Sequence, residues 1–372
     1  MKLPSSALGP LLPTLAAAMF AGCSDEATGP GASGSRFALE VAVAAGNVGF
    51  HSSLVIDAQG RPHVSYRDLD AHALAYATRT QSGWLSETVD GGPTHDVGLH
   101  STIAVDAAGN PRILYYDVTH MGLALAEWTG SVWGIDSLRG YAPTASMALD
   151  AAGNPHVCFY DNEDFGLRYA HRSGDAWEIE TVTTATTWEA GPTSIALAPD
   201  GSPCIAAGVP TELIGFGTGR VRFARRSGSG WVVEPVDSLA GVGEHCALAI
   251  DANGDPHVSY TAGDRDDLRY ARRQGDTWVV TTVDSIGIVG EYPRVVVDAA
   301  GDPIISYFDR TNQAIRIATW IQDRWRIETV MPTGDPCCDI GWYHGLALDA
   351  RGNPCLSLYD GVNGDLIFAW IP

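Results

Sequence analysis

Short apolar runs alternate with polar turn residues along most of the chain, and the segment Met147–Val182 shows this pattern most clearly. Its four runs are Met147–Leu149, His156–Tyr160, Leu167–Arg172 and Trp177–Val182. Apolar and polar residues alternate with a period of two, which is typical of half-buried β-strands. The turn DAAGNP separates the first two runs, and its glycine can adopt a positive φ while its proline fixes the exit. The segment therefore predicts four β-strands joined by tight turns.

The same pattern occurs seven times with a period of about fifty residues, which indicates a repeat architecture. Each copy has a Gly-x-Pro turn, at Gly60/Pro62, Gly109/Pro111, Gly153/Pro155, Gly201/Pro203, Gly254/Pro256, Gly301/Pro303 and Gly352/Pro354. An Asp opens this turn in six copies, and Ala198 replaces it in the fourth. A Trp begins the fourth strand in six copies, namely Trp84, Trp133, Trp177, Trp231, Trp278 and Trp325. The seventh copy ends at Pro372, before a fourth strand can begin.

A substitute for this missing strand stands at the other end of the repeats. Phe37 and Glu40 repeat the Trp-x-x-Glu spacing of Trp84/Glu87, Trp177/Glu180 and Trp325/Glu328, with Phe in place of Trp. An N-terminal strand that completes the last blade leaves no sheet edge unpaired, whereas a linear array would expose two. We therefore predict an all-β fold, a seven-bladed β-propeller of four-stranded antiparallel blades. The strand that closes the ring is predicted at about residues 37–43.

The first residues suggest export. Met1 and Lys2 precede an apolar run that ends in Ala21-Gly22-Cys23, and this segment resembles a bacterial lipoprotein signal. The resemblance implies cleavage before Cys23 and lipidation of that cysteine; cleavage without lipid is the alternative. We predict a signal peptide at 1–22, a flexible tether at 23–36 and a single propeller domain at 37–372. The expected location is the cell envelope, periplasmic or at the cell surface, with membrane contact only through the lipid.

Charge and cysteine content limit the possible functions. The net charge is −21 and the single lysine is Lys2, so nucleic-acid binding and lysine-dependent catalysis are not expected. The expected partner is a glycan or an envelope or extracellular protein, and the protein is expected to be a monomer. Six cysteines remain after Cys23, and an exported chain permits disulfides or simple burial. Cys337 and Cys338 are adjacent and could pair with each other or separately.

Two series of polar residues fall on one face of the predicted propeller, because the loops entering each first strand and the loops between the second and third strands share it. Six residues before the turn Asp stand His51, His100, Thr144, Pro192, His245, Tyr292 and Tyr343. Six residues after the turn Pro stand Asp68, Asp117, Asp161, Val209, Ala262, Asp309 and Asp360. The Asp series has a structural explanation too, since such residues cap their own loops or pair with Arg168, Arg222, Arg269 and Arg316.

The candidate site lies where blades seven, one and two adjoin, since these copies carry most of the imidazoles, phenols and carboxylates. Loops 91–98 and 334–342 add His95, Asp96 and Asp339 to this sector. The predicted ligand-binding residues are His51, Asp68, His100, Asp117, Trp342, Tyr343, His344 and Asp360. No catalytic residue is assigned; the candidates for an enzyme are His51, His100 and Tyr343. We expect no cofactor and assign no metal, although His51, His100 and nearby Asp residues have suitable ligand chemistry.

The favoured function is binding of a glycan or a protein partner on this face, and the alternative is a polysaccharide-degrading enzyme. Segments 51–60 and 100–109 join a His-containing inner strand to a DxxG turn, and in this they resemble propeller polysaccharide lyases. The resemblance implies His and Tyr as base and acid, together with a cation for the substrate carboxylate; no Arg can be assigned to that role. Ser173–Trp177 resembles a shortened Asp-box of the sialidases, but the catalytic set of that family is not found.

Overall fold

The computed structural model describes residues 35–139, 142, 144–162, 166–174, 176–184, 192–209, 220–228, 230–239, 242–263, 266–332 and 344–372. The predicted signal peptide, Cys23 and the tether up to residue 34 lie outside these ranges, as do Cys337, Cys338, Trp342 and Tyr343. Every regular element in the described ranges is a β-strand. No helix that is long and apolar enough to span a membrane occurs in them.

The strands form seven antiparallel four-stranded sheets, each of which is one blade. Blade one holds β2 (Val48–Ile56), β3 (Pro62–Asp68), β4 (Ala73–Thr80) and β5 (Gly83–Asp90). Blades two and three hold β6 (Val97–Val105), β7 (Pro111–Asp117), β8 (Gly122–Trp128), β9 (Trp133–Arg139), β10 (Ala145–Leu149), β11 (Pro155–Asp161), β12 (Gly166–Ser173) and β13 (Ala176–Thr184). Blades four and five hold β14 (Thr193–Leu197), β15 (Pro203–Val209), β16 (Arg220–Ser227), β17 (Gly230–Pro235), β18 (Val242–Ile250), β19 (Pro256–Ala262), β20 (Asp267–Gln274) and β21 (Thr277–Asp284).

Blades six and seven complete the ring. Blade six holds β22 (Val289–Val297), β23 (Pro303–Asp309), β24 (Ala314–Ile321) and β25 (Arg324–Pro332). Blade seven is closed from both ends of the described chain, by β26 (Gly345–Leu348), β27 (Pro354–Asp360), β28 (Asp365–Trp370) and β1 (Ala38–Val43). β1 pairs antiparallel with β28, with Ala38 opposite Trp370 and Glu40 opposite Phe368. The prediction of a seven-bladed propeller closed by an N-terminal strand is therefore confirmed.

The repeated tryptophan and acidic residue join neighbouring blades. Trp133 of blade two lies edge-on to Tyr76 of blade one, with ring centroids 5.5 Å apart. Its Nε1 donates a hydrogen bond to Glu87 Oε1 of blade one at 3.0 Å. Each blade interface also buries an apolar cluster drawn from both blades, and this burial is the main stabilising contribution to the ring. The Nε1 atoms of Trp177, Trp231 and Trp278 donate in the same way to Asp136, Glu180 and Glu234 of the preceding blade. The tryptophan and the acidic residue thus form an inter-blade contact at four of the blade interfaces.

The Asp-x-x-Gly turns are held by the carboxylate that opens them. Asp150 Oδ1 accepts hydrogen bonds from the backbone N–H groups of Ala152 and Asn154, at 2.9 and 2.7 Å. In the fourth blade, where Ala198 replaces the Asp, Asp200 Oδ1 accepts instead from the Ser202 N–H at 2.9 Å. These carboxylates cap backbone donors, so their repetition reflects the fold.

The cysteines within the described ranges are buried and free. They are Cys158, Cys204, Cys246 and Cys355. Burial raises the pKa of the Cys158 and Cys246 thiols to about 12, which disfavours the reactive thiolate. Of the two explanations open for these cysteines, burial without pairing is the one observed.

Candidate functional site

The inner strands of all seven blades surround a central channel, and a cavity of about 480 Å³ occupies its mouth. Six of the seven positions predicted at the channel entrance line this cavity, and these are His51, His100, Thr144, Pro192, His245 and Tyr292. The seventh, Tyr343, lies outside the described residues. The cavity extends beyond the sector of blades seven, one and two, because His245 belongs to blade five and Tyr292 to blade six.

Bulges in the inner strands direct three of these side chains. His51, His100 and Tyr292 have φ angles of 53°, 51° and 50°, and the strand register shifts at each of them. A bulge re-aims the side chain that it carries. A glycine two residues earlier also has positive φ in each case; a Cβ on Gly290 would lie 2.6 Å from Leu268 Cα. A left-handed residue other than glycine costs about 1–3 kcal/mol, and such strain concentrates at functional sites.

The pair of histidines from blades one and two is held in a defined protonation state. Their rings lie 4.5 Å apart between centroids, and the backbone N–H of His100 donates to His51 Nδ1 at 3.1 Å. Because Nδ1 accepts this bond, neutral His51 carries its proton on Nε2. Burial, with a smaller effect of His100 and Arg67, lowers the pKa of His51 well below its usual value. His51 is therefore a neutral donor at neutral pH.

The second ring pair comes from blades five and six. The centroids of His245 and Tyr292 lie 3.8 Å apart. Burial lowers the pKa of His245 to about 4, and Arg294 and Arg310 add to the shift. Burial and Arg294 likewise lower the pKa of His100 to about 4. His245 Nδ1 is buried and, among the described residues, has no hydrogen-bond partner.

Arg294 is the residue that the sequence analysis missed. It lines the cavity, and its Nε donates to the carbonyl oxygen of His344 at 3.2 Å. It stands four residues before the turn Asp of its repeat, and the other copies have small residues there: Ser53, Thr102, Ser146, Ser194, Ala247 and Gly345. An arginine at a position where the other repeats have small residues is a feature by which the sequence could have identified Arg294. No carboxylate occurs among the described residues that line the cavity.

The predicted carboxylates lie in the loops of the same face but do not line the cavity. Asp68 Oδ1 accepts from the Ala71 N–H at 2.9 Å. Asp360 Oδ1 accepts from the Val362 N–H at 3.0 Å, and its Oδ2 accepts from Asn363 Nδ2 at 2.7 Å. These contacts are loop caps, which agrees with the structural explanation of the series. Ligand contacts by these two residues stay a prediction.

His344 stands apart from the other predicted residues that the structure describes. The His344 side chain is 1% exposed, and its Nε2 lies 2.8 Å from Ser306 Oγ of blade six. The imidazole therefore packs between blades six and seven. His344 contacts the site by its backbone carbonyl oxygen, which accepts the hydrogen bond from Arg294. Trp342 and Tyr343 lie outside the described residues.

Asp117 belongs to a cluster beside blade two. His95 Nε2 and His120 Nδ1 lie 3.1 and 2.7 Å from Asp117 Oδ2. Burial raises the pKa of Asp117, but hydrogen bonds from His120 and His95 outweigh it and hold the pKa below its usual value. Within the described part of the chain these three residues form the one group whose donor atoms are arranged to hold a metal ion.

Comparisons with known proteins show the fold but no family. No family model and no curated protein matches the sequence. A polysaccharide lyase of family PL25, an ulvan lyase bound to -[GlcA(1-4)Rha3S]-, is similar in structure, with a TM-score of 0.59, 11% identity and coverage of 88% of this chain and 94% of that one. An oligogalacturonate lyase from Vibrio parahaemolyticus has a TM-score of 0.56, 10% identity and coverage of 90% and 97%. A protein of unknown function from Dyadobacter fermentans has a TM-score of 0.55, 14% identity and coverage of 90% and 98%.

Proposed function

We propose that the channel mouth binds an acidic saccharide, with the sugar carboxylate against Arg294. The composition of the cavity carries this proposal. An arginine, three neutral imidazoles and a tyrosine meet there without a carboxylate among the described lining residues, in a chain of net charge −21. A guanidinium holds a carboxylate through charge-assisted hydrogen bonds, and the Tyr292 ring suits the apolar face of a sugar.

Size and structural neighbours support a saccharide. The cavity of about 480 Å³ falls within the range of about 300–1,000 Å³ that is usual for small-molecule sites. Two structural neighbours carry names of lyases, one bound to a glucuronate-containing saccharide and one named for oligogalacturonate. Both names concern uronates, the acidic sugars that Arg294 would accommodate.

The test is binding of uronate oligosaccharides and their neutral counterparts, measured by calorimetry. We expect the wild-type protein to bind the acidic forms, and Arg294→Gln to weaken binding about ten-fold or more, because a hydrogen bond to a charged group contributes about 1.5–3 kcal/mol. Arg225→Gln is the matched control, since Arg225 pairs with the exposed Asp200 and does not line the cavity. Equal losses in the two variants, or folded protein that binds no acidic saccharide, would refute the proposal.

A second candidate function is eliminative cleavage of the same saccharide, and Arg294 is the observation that favours it. The sequence analysis found His and Tyr for this reaction but no cation. In the elimination a base removes the proton beside the carboxylate, the glycosidic C–O bond breaks, a ring double bond forms and an acid protonates the leaving oxygen. Neutral His100 suits the base, Tyr292 the acid, and Arg294 the substrate carboxylate.

Cleavage is distinguished from binding by its product, because an unsaturated uronate absorbs in the ultraviolet. If the protein is a lyase, His100→Asn and Tyr292→Phe should each lower the rate of product formation about 100-fold or more while the saccharide still binds. Asn is chosen because it tolerates the left-handed backbone at residue 100. If no acidic polysaccharide yields an absorbing product, binding alone remains.

We also infer that the protein acts at the cell envelope through a lipid on Cys23. The support is the lipoprotein-like signal in residues 1–23. In the native host, labelling with an alkynyl fatty acid should mark the wild-type protein and not Cys23→Ser, which should leave the membrane fraction. Equal labelling of both would refute lipidation.

If every saccharide fails to bind, an envelope protein is the remaining partner, to be sought by cross-linking at the cell surface.

A further inference from the structure

The loops beside blade two carry an arrangement that differs from the equivalent one in blade six. In blade six, Arg316 Nη1 lies between Asp284 Oδ2 and Asp309 Oδ2, at 3.0 and 3.2 Å. Asn312 Nδ2 donates to the same oxygen of Asp309 at 2.8 Å. Tyr307 completes the group by donating to Asp284 at 2.6 Å. One guanidinium and one amide thus satisfy both carboxylates.

Blade two keeps the carboxylates and the tyrosine but replaces both nitrogen partners with imidazoles. Asp90, Asp117 and Tyr115 correspond to Asp284, Asp309 and Tyr307, and Tyr115 donates to Asp90 at 2.5 Å. Ala124 stands opposite Tyr115 in the strand register where Arg316 stands opposite Tyr307. His95 takes the place of the guanidinium, with Nδ1 3.3 Å from Asp90 Oδ1 and Nε2 3.1 Å from Asp117 Oδ2. His120 takes the place of the Asn, with Nδ1 2.7 Å from Asp117 Oδ2.

His95 thus bridges the two carboxylates that Arg316 bridges in blade six. Its Nδ1 faces Asp90 and its Nε2 faces Asp117. A guanidinium and an amide N–H are not metal ligands, whereas an imidazole nitrogen is. The exchange therefore places two metal-binding side chains beside a carboxylate.

The donor atoms fit a divalent metal ion. We propose that His95 Nε2, His120 Nδ1 and Asp117 Oδ2 bind a zinc-like transition-metal ion. One donor atom from each of the three residues lies within 4.8 Å of the others, and both named nitrogens lie 2.7–3.1 Å from Asp117 Oδ2. Around a tetrahedral ion with bonds of about 2.0–2.2 Å the ligand atoms would stand roughly 3.4 Å apart. Asp90 on His95 Nδ1 supplies the carboxylate that orients a metal-bound histidine. Three protein ligands leave a position open for water or a ligand.

Hydrogen bonds between the two loops hold the histidines in place. The backbone N–H of Asp96 donates to Thr119 Oγ1 at 2.7 Å. The N–H groups of Val118 and Thr119 donate to the Asp96 carbonyl at 3.0 and 3.2 Å. These bonds join the loop that carries His95 to the turn that carries His120, so a metal ion would meet a site that is already assembled.

The test is titration of chelator-treated protein with Zn²⁺ in competition with a chromogenic chelator, and with Co²⁺ followed by its visible absorption. We expect one ion per chain for the wild type. His120→Asn should weaken binding about ten-fold or more, because it restores the amide cap of blade six and removes one ligand. The double variant His95→Ala with Ala124→Arg should weaken metal binding as well, because it removes the second imidazole and restores an arginine where blade six has Arg316. Without metal, both variants should melt within a few degrees of the wild type, which separates lost ligation from misfolding.

The channel mouth supplies the control, because it holds His51 and His100, the histidines that the sequence analysis considered as metal ligands. His51→Asn with His100→Asn should leave the zinc affinity unchanged. If zinc binding instead disappears in this variant, if it survives in His120→Asn, or if the wild type binds no ion above the buffer background, the assignment is wrong. Affinity should also fall as pH is lowered, since protons compete for both imidazoles.

Discussion

At the scale of single residues, the channel mouth joins two unfavourable features, strained backbone and buried imidazole. His51, His100 and Tyr292 adopt positive φ, and the rings of His100 and His245 are desolvated enough to bring their pKa to about 4. Neither feature is needed to build a blade, because Pro192 occupies an equivalent position, has no imidazole and is held at negative φ by its ring. Positive φ and a buried imidazole coincide at His51 and His100, where rings converge on the cavity, and this is the pattern expected of a ligand site.

The lowered histidine pKa values predict how stability depends on pH. A histidine that stays neutral in the folded state binds fewer protons than in the unfolded chain between its folded pKa and about 6.5, so stability falls as pH is lowered through this window. For His100 and His245 the window runs from about 6.5 to about 4. Each should reduce the free energy of unfolding by on the order of 1 kcal/mol per pH unit, with little change above pH 7.

Urea unfolding at pH 7.5, 6 and 5 measures this effect, and His100→Asn is the informative variant. It removes one titrating ring while keeping a residue that tolerates positive φ, so its stability should fall less steeply with pH. A slope equal to that of the wild type would mean that His100 is protonated alike in the folded and unfolded states.

The residues of the site could be predicted from the sequence only where they stand at a fixed position of the repeat. The offset from the turn Asp identifies the residues at the channel mouth, because the first strand of every blade enters the channel in one register. Arg294 was not predicted because it stands two positions after that offset. The burial of His344 depends on its contact with Ser306 of another blade, and a single repeat does not contain that contact. The His95, Asp117 and His120 cluster likewise joins two loops that are apart in sequence.

At the scale of elements, strands and turns were the most predictable features. The four runs read from blade three correspond to Ala145–Leu149, Pro155–Asp161, Gly166–Ser173 and Ala176–Thr184 in the structure. Alternation and turn chemistry are local properties, so they can be read from a short segment. The bulges were not predicted, since they depend on the close approach of a glycine such as Gly290 to a strand of the preceding blade.

The turn carboxylates are not equivalent, and this predicts different costs of removal. Asp57 is 5% exposed; its Oδ1 accepts from the backbone N–H groups of Gln59 and Arg61, and its Oδ2 contacts the Arg61 and His63 side chains. Asp150 caps its turn in the same way but is more exposed. Asp57→Ala should therefore cost about 2–4 kcal/mol and Asp150→Ala about 1–2 kcal/mol, because the first substitution also leaves the buried His63 side chain without its carboxylate partner.

Denaturant unfolding of the two variants measures these costs. Asp200→Ala is the comparison, because in blade four Asp200 caps the turn in place of the residue that opens it. Asp200 accepts from one backbone N–H in an exposed turn, so its loss should be the smallest of the three. Equal costs for Asp57 and Asp150 would show that the contacts of Asp57 with the Arg61 and His63 side chains contribute nothing to stability.

At the scale of the whole molecule, closure of the ring depends on one strand. β1 completes blade seven by pairing with β28, and Phe37 beside it is buried against residues of blades six and seven. Removing residues 1–43 would expose the β28 edge and part of this core. We expect the melting temperature to fall by on the order of 10 °C, since several kcal/mol of strand pairing and apolar burial are lost, and we expect the free edge to promote self-association.

Removal of residues 1–34 is the matched truncation, because it keeps β1 and Phe37 and shortens the chain by almost as much. By calorimetry the shorter deletion should melt at the temperature of the full-length protein, and the longer deletion should melt at a lower temperature. By light scattering the shorter deletion should be a monomer and the longer one should self-associate. A peptide spanning residues 35–45 should restore the melting temperature of the longer deletion by supplying the missing strand. If the two truncations instead melt together and both remain monomeric, blade seven is stable with three strands, and the N-terminal strand is not what holds the ring closed.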